Sequence, residues 1–432
     1  MTTRRILVFV LVGGTLASCG GSRAPVDAPT PTPSVATLPP PPAEPVAQEP
    51  AMQSPFEQDV AYLRQHGDVQ VLTSPYGARL AVSAKYQGRV MTSAVAAEGA
   101  SFGFIDRKFI DAGKTGTQFD NYGGEDRFWL GPEGGQFGLY FPPGKPFEFQ
   151  HWQTPSAFQQ GAWDIVEQTE GSIRFRRAME VTNYAGTQFK LDVERTVAFV
   201  DPKDAADQLD APIPEGVQLV AYQTANQVTN TGPRAWTKQG GLISIWILAM
   251  YTPSPDMVVI APFEKSGSGP VINDAYFGKV PADRLIVDED TGVALFRCDG
   301  HHRSKIGLPL GRTKSVIGSY SASARMLTIV QFSGPVPSAP YVNSMWEHQK
   351  EPYRGDVVNS YNDGPTEPGK PALGGFYEIE TSSPGLQLAP GAKFQHVHRT
   401  FHLVGDEAQL EPFAKAQLGV SLAYVRGRMQ GK

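Results

Sequence analysis

The chain has 432 residues, 45 of them Gly and 37 Pro, a formal net charge of −5, and 41% hydrophobic and 10% aromatic residues. Gly and Pro together reach nearly one residue in five, against ~12% in average usage, which excludes a coiled coil; the hydrophobic content excludes a collagen or a wholly disordered chain. No block of like charge runs five residues, so the basic stripe that a nucleic-acid binder needs is missing.

Arg4-Arg5 form a positive segment, and Ile6 to Val12 (ILVFVLV) an apolar one too short to span a bilayer. This is the pattern of a signal peptide. Leu16-Ala17-Ser18-Cys19 resembles the bacterial lipobox, which implies a signal peptide over 1–18 and a mature chain beginning at a lipid-modified Cys19. An ordinary secretory signal with an incidental Cys is the plainer alternative. Gly20 after the Cys, by resemblance to enterobacterial sorting, implies the outer membrane. The expected location is the periplasm or cell surface, with the membrane reached through the lipid. Ten of the 37 prolines lie between Pro25 and Pro50. Residues 19–53 therefore read as a solvated tether, partly polyproline II. The other Cys, Cys298, is left without a disulfide partner and sits in the strand-like run Val293–Cys298. It reads as a buried, inert thiol.

The folded domain is expected over 54–432. Ser54-Pro55-Phe56-Glu57 carries an N-cap, Pro at the first helical position and a capping-box Glu. Phe56, Val60 and Leu63 then repeat at helical spacing until Gly67. From Val69 to Leu403 the pattern is strands and turns. Arg79–Ser83, Gly171–Arg176, Phe189–Val197 and Val293–Phe296 alternate as half-buried antiparallel strands do. Leu242–Met250 (LISIWILAM) is apolar on both parities and predicts a central strand buried on two sides. Glu411–Leu418 predicts a helix stopped by Gly419. No βαβ alternation occurs. The fold class is all-β, a large antiparallel sandwich with short flanking helices.

Three stretches carry a family resemblance: Ser74–Ser83 with Gly88-Arg89-Val90; Ala225–Gly232, which holds an Asn-x-Gly turn; and Phe376–Ser382 followed by Leu388-Ala-Pro-Gly391 and Phe394–His402. In this order they resemble the galactose mutarotase-like superfamily, the aldose 1-epimerases among them. Gly124–Glu133 and Gly355–Gly364 further resemble an uncharacterised set of bacterial lipoproteins within that superfamily. The resemblance implies the β-supersandwich fold and a carbohydrate ligand.

It also implies site residues. Anomeric ring opening needs a base for the hydroxyl and an acid for the ring oxygen. The epimerase base is the Glu of a C-terminal Leu-Glu-Thr, here Glu380 in Ile379-Glu380-Thr381. Glu378 and Glu380 share a strand face and can raise each other's pKa. The epimerase acid is a His soon after the Asn-x-Gly turn, but no His lies between His151 and His301. His301 or His302 would have to serve from another strand; a surface turn is the alternative. Arg303 and Lys305 beside them suit an anionic sugar group. Arg127 occupies a position like that of a sugar-binding Arg, and Trp129 offers a stacking face; an Arg–carboxylate pair and a core Trp are the structural alternatives.

No cofactor and no metal site are expected. His396, His398 and His402 share a strand face, but His396 and His402 are ~20 Å apart along a straight strand, too far to share one ion. Gly99–Gly103 matches G-x-S-x-G without the helix that a nucleophile elbow requires. Three functions remain open: a carbohydrate-binding envelope lipoprotein, a carbohydrate-processing enzyme with Glu380 as base, and a non-catalytic envelope scaffold.

Overall fold

The computed structural model describes residues 54–430 except 117 and 366–368. The signal segment, Cys19 and the Pro-rich stretch lie outside the described residues. Helix α1 (Pro55–His66) starts as its sequence predicts. Ser54 accepts from the Glu57 N–H while the Glu57 carboxylate reaches back to the Ser54 N–H, and Gly67 follows the last turn. Phe56, Val60 and Leu63 are buried against Val69, Ala81 and Met91. The Ser54 hydroxyl also donates to the Ala97 carbonyl at 2.6 Å. Ser54→Ala is therefore expected to lower stability by about 1 kcal/mol, read as a reduced urea midpoint at unchanged slope.

The strands form three antiparallel sheets. The first is β1 (Gln70–Thr73), β2 (Arg79–Ser83) and β3 (Arg89–Ala94). The largest has ten strands in the order β11 (Leu285–Asp288), β12 (Val293–Arg297), β10 (Val258–Pro262), β14 (Val316–Ser321), β15 (Met326–Phe332), β18 (Lys393–Val404), β8 (Gln218–Asn230), β7 (Gln188–Phe199), β6 (Ser172–Thr182) and β5 (Asp164–Gln168). The third has five, in the order β13 (Ser304–Pro309), β16 (Asp356–Asn362), β17 (Tyr377–Ser382), β9 (Ser244–Tyr251) and β4 (Arg127–Gly131).

Alternation sets the layers. Along β6, Ile173, Phe175, Met179 and Val181 are buried, whereas Arg176, Glu180 and Thr182 are exposed. One face of the ten-stranded sheet is covered by helices. These are α4 (Pro202–Leu209), α5 (Glu407–Phe413), a π-helical turn over Ala414–Leu418, and α6 (Leu422–Gln430). Leu209, Leu410, Phe413 and Val425 pack there with Ile329 and Phe401. The two remaining helices, α2 (Arg107–Ala112) and α3 (Ser156–Gln159), are short.

The helix expected over Glu411–Leu418 begins earlier, at Glu407. Asp406 caps it in a reciprocal pair with Gln409, and Pro412 sits inside it rather than in its first turn. Gly419, at φ +72°, ends the π turn as anticipated.

The opposite face of the ten-stranded sheet packs on the five-stranded one. On β17, Tyr377 bonds Ser319 of β14 at 2.9 Å, and the Thr381 hydroxyl lies 3.0 Å from both His396 Nε2 and His398 Nδ1 of β18. His402 bridges Thr328 (2.8 Å) and Glu125 (2.9 Å). All three histidines are buried. Desolvation pulls His396 down to about 3, and His398 is also lowered. His396 and His398 serve as neutral hydrogen-bonding groups of the core. Among the described residues no group of three or more His, Cys, Asp or Glu is placed to hold a metal ion, and no helix is long and apolar enough to cross a membrane.

Candidate functional site

Residues directly opposite in an antiparallel sheet share a face. In the five-stranded sheet Lys305 lies opposite Tyr361, and Tyr361 opposite Glu378. Glu380 lies opposite Leu248, which lies opposite Arg127; Trp246 lies opposite Trp129. All eight side chains therefore point away from the ten-stranded sheet, and all eight line one cavity of about 340 Å³. That volume suits a small-molecule ligand. Loops complete the walls with Phe119, Phe149, Trp152, Phe277 and Trp346.

Gly123-Gly124, at φ +78° and +113°, leads the chain into β4. A Cβ at Gly123 would run into the carbonyl oxygen of Phe104. Only glycine allows this left-handed passage at that separation, and the passage sets the phase that turns Arg127 into the cavity.

Two buried ion pairs form the floor. Arg127 Nη2 donates to Glu378 Oε1 at 2.5 Å, and Lys305 Nζ donates to Glu380 Oε2 at 2.8 Å. Trp246 Nε1 donates to the same Glu380 oxygen at 3.0 Å. A third carboxylate, Glu133, accepts from Trp152 Nε1 at 2.8 Å. The cations lie over rings: Arg127 is 4.3 Å from the Trp129 centroid, and Arg303 is 3.9 Å from that of Phe277. Several buried polar atoms here have no partner among the described residues, namely Glu380 Oε1, Asn121 Oδ1, Arg127 Nε and Nη1, Trp129 Nε1 and Arg303 Nε. Such atoms in a native fold require an explanation, and their concentration at one cavity supplies it: a ligand or ordered water completes them.

Burial shifts the acids. It raises Glu378 to about 7, with Arg127 opposing and Glu380 reinforcing. It also raises Glu133, against the field of Lys305. Burial works against the charge on Lys305, but Glu380 and Glu133 together hold it above its ordinary value.

Glu378 thus binds its proton more tightly folded than unfolded. Its contribution to stability is complete below the unfolded carboxyl value near 4.5 and fades as pH rises through about 7. The stability of the wild type relative to Glu378→Gln is expected to fall across that window, measured as paired urea midpoints from pH 4.5 to 8.

The cavity collects Glu380, Arg127, Trp129, Arg303 and Lys305 among the residues singled out from sequence. Arg127 forms the carboxylate pair weighed as its structural alternative, yet two of its nitrogens remain unpaired. His301 and His302 do not line the cavity. Both are exposed on the turn before β13, because Asp299 accepts from the His301 N–H and Asn362 holds the His302 carbonyl at 2.9 Å. That fixing of the backbone leaves both rings in solvent. Sequence reasoning left aside Glu133 and the indoles of Trp152, Trp246 and Trp346. The phase of Glu378 with Glu380 was visible as an i, i+2 pair. Cys298 is fully buried and desolvation pushes its thiol well up, so it is inert. The Ser101 hydroxyl bonds Thr92 at 2.6 Å, and helix α2 begins only at Arg107, so no nucleophile elbow forms.

Fold and site together define an antiparallel β-sandwich protein whose smaller sheet carries an aromatic, ion-paired cavity. A family model described as a family of unknown function, DUF6786, matches residues 54–429, and the chain belongs to that family. No curated protein matches it. Solved structures similar to it include a galactose mutarotase-like protein from Lactobacillus casei, at 10% identity and TM-score 0.44 over 78% of this chain and 100% of that one. A galactose mutarotase related enzyme from Lactobacillus acidophilus gives 10% and 0.44 over 78% and 98%. The Slr1438 protein from Synechocystis sp. gives 12% and 0.46 over 78% and 96%.

Proposed function

We propose that this chain binds a carbohydrate in the cavity of its five-stranded sheet. The observation that carries the reading is the set of unpaired buried polar atoms of Arg127, Trp129 and Glu380 set among indole faces. A sugar ring has an apolar C–H face for an indole and hydroxyls that both donate and accept. Its hydroxyls would accept from Arg127 and donate to Glu380 Oε1. A scaffold role would suit a cleft filled by side chains, and this one is open. Titration of tryptophan fluorescence with a panel of neutral and acidic mono- and disaccharides tests the proposal. Saturable quenching by at least one sugar is expected, with Glu380→Gln weakening it ~10-fold or more. No response to any sugar would refute it.

A second reading is favoured by Glu133. Its buried carboxyl is held above the ordinary range, which suits a proton donor, while Glu380 keeps a free oxygen to act as base. Glu133 would then take the part of the missing mid-chain His in anomeric ring opening. Polarimetry on freshly dissolved aldoses is expected to show faster mutarotation than buffer, lost in Glu133→Gln and in Glu380→Gln. Rates equal to buffer leave binding without catalysis.

We further propose that the domain is held at the bacterial envelope through lipid on Cys19. Support comes from Arg4-Arg5, the apolar run and Leu16-Ala-Ser-Cys19. Fatty-acid labelling of the full chain, lost in Cys19→Ser, is the expected result.

A further inference from the structure

We propose that the carbohydrate carries an acid group and that Arg303 receives it. This rests on the sugar reading and narrows it. Three cations line the cavity, and two already sit on carboxylates, Arg127 on Glu378 and Lys305 on Glu380. Arg303 has no carboxylate within ion-pair distance among the described residues, and its Nε is buried without a partner. The remaining carboxylates have donors of their own. Asp106 accepts from the Phe109 N–H of α2 at 2.9 Å, and Glu133 accepts from an indole.

Demand for hydrogen bonds in the cavity is lopsided in the same direction. Among the described residues four unpaired nitrogen donors, on Arg127, Trp129 and Arg303, face two unpaired acceptors, Glu380 Oε1 and Asn121 Oδ1. A neutral sugar offers donors and acceptors in balance; an acid group offers acceptors only. A guanidinium fork matches a carboxylate or a phosphate in two parallel bonds.

Arg303 is also held in place ahead of any ligand. Its guanidinium carbon lies 3.9 Å from the Phe277 ring centroid. The turn beneath it is tied by Asp299 to Arg284 (2.5 Å) and by Asn362 to the Gly300 N–H (2.8 Å). Arg303 and Lys305 are two residues apart, a Cα spacing of ~7 Å in extended chain. An acid group on Arg303 therefore sets the body of the sugar over the Lys305–Glu380 pair.

The test compares glucose, glucuronate and glucose 6-phosphate by calorimetric titration of the full chain, with Arg303→Gln and Arg303→Lys. At least one acidic sugar is expected to bind ~10-fold or more tighter than glucose, the tighter acid showing whether the group is carboxylate or phosphate. Arg303→Gln is expected to erase the preference and Arg303→Lys to retain part of it. Added salt should weaken the acidic sugar and leave glucose unmoved. His302→Ala should change neither. Equal binding of glucose and both acids, or a preference that survives Arg303→Gln, overturns the assignment while leaving the sugar reading intact. Failure of all sugars, neutral and acidic, overturns both.

Discussion

Arg195→Met is expected to cost about 3–5 kcal/mol of unfolding free energy, a large part of the ~5–15 kcal/mol that holds a typical domain. Arg195 occupies an inward position of β7, in phase with Val193 and Val197, and is fully buried. All three guanidinium nitrogens are engaged. Nε donates to the Gly88 carbonyl at 2.9 Å, Nη1 to Asn226 Oδ1 at 2.6 Å, and Nη2 to Asp126 Oδ1 at 2.6 Å. One side chain thereby joins the β2–β3 turn, the ten-stranded sheet and the segment entering β4. Its removal strands the Asp126 carboxylate, also fully buried, with Thr224 as its remaining side-chain donor. Guanidinium chloride unfolding should show the loss as a lower midpoint. A change below 1 kcal/mol would mean that the pair is dispensable to the fold. Arg195→Met with Asp126→Leu is expected to recover only part of the loss, because Asn226 and the Gly88 carbonyl still lose their donor.

Local chemistry made much of this fold legible in the sequence. Ser54-Pro-Phe-Glu57 specifies a helix start through bonds made within four residues, and β6 and β7 reveal their buried face by alternation alone. The candidate site was legible where it lay on strands: Glu378 and Glu380 share a face whatever the tertiary structure. It was illegible where loops build it. Glu133, Trp152 and Trp346 come from irregular segments with no period, and only the packed fold brings them to one cavity. His301 and His302 were candidates because no His lies between His151 and His301, and the structure places both on an exposed turn. The strand begins at Ser304, so the residues before Arg303 belong to a turn that Asp299 and Asn362 hold in solvent. His396, His398 and His402 show the converse. Their shared parity was readable, but whether that face met solvent, ligand or core depended on Thr381 and Glu125, distant in sequence.

The ion pair in the cavity should behave differently from the one in the core. Lys305→Met alone leaves Glu380, 1% exposed, with Trp246 Nε1 as its single donor. A loss of about 3–5 kcal/mol is expected. Lys305→Met combined with Glu380→Leu is expected to return stability to within ~1 kcal/mol of the wild type, since a buried pair replaced by apolar groups of similar size is often neutral. The reason lies in the surroundings. Around Arg195 several buried groups depend on the pair, whereas around Glu380 the indole of Trp246 is the main group left without a partner, and Glu380 Oε1 never had one. The double variant should nevertheless fail to bind any sugar that the wild type binds, because the free oxygen and the charge beside it are gone. Paired measurements of unfolding midpoint and sugar titration separate the two roles. A double variant as unstable as Lys305→Met would show that the pair holds the fold. Restored stability with lost binding means that the pair is kept for the ligand, since the fold stands without it.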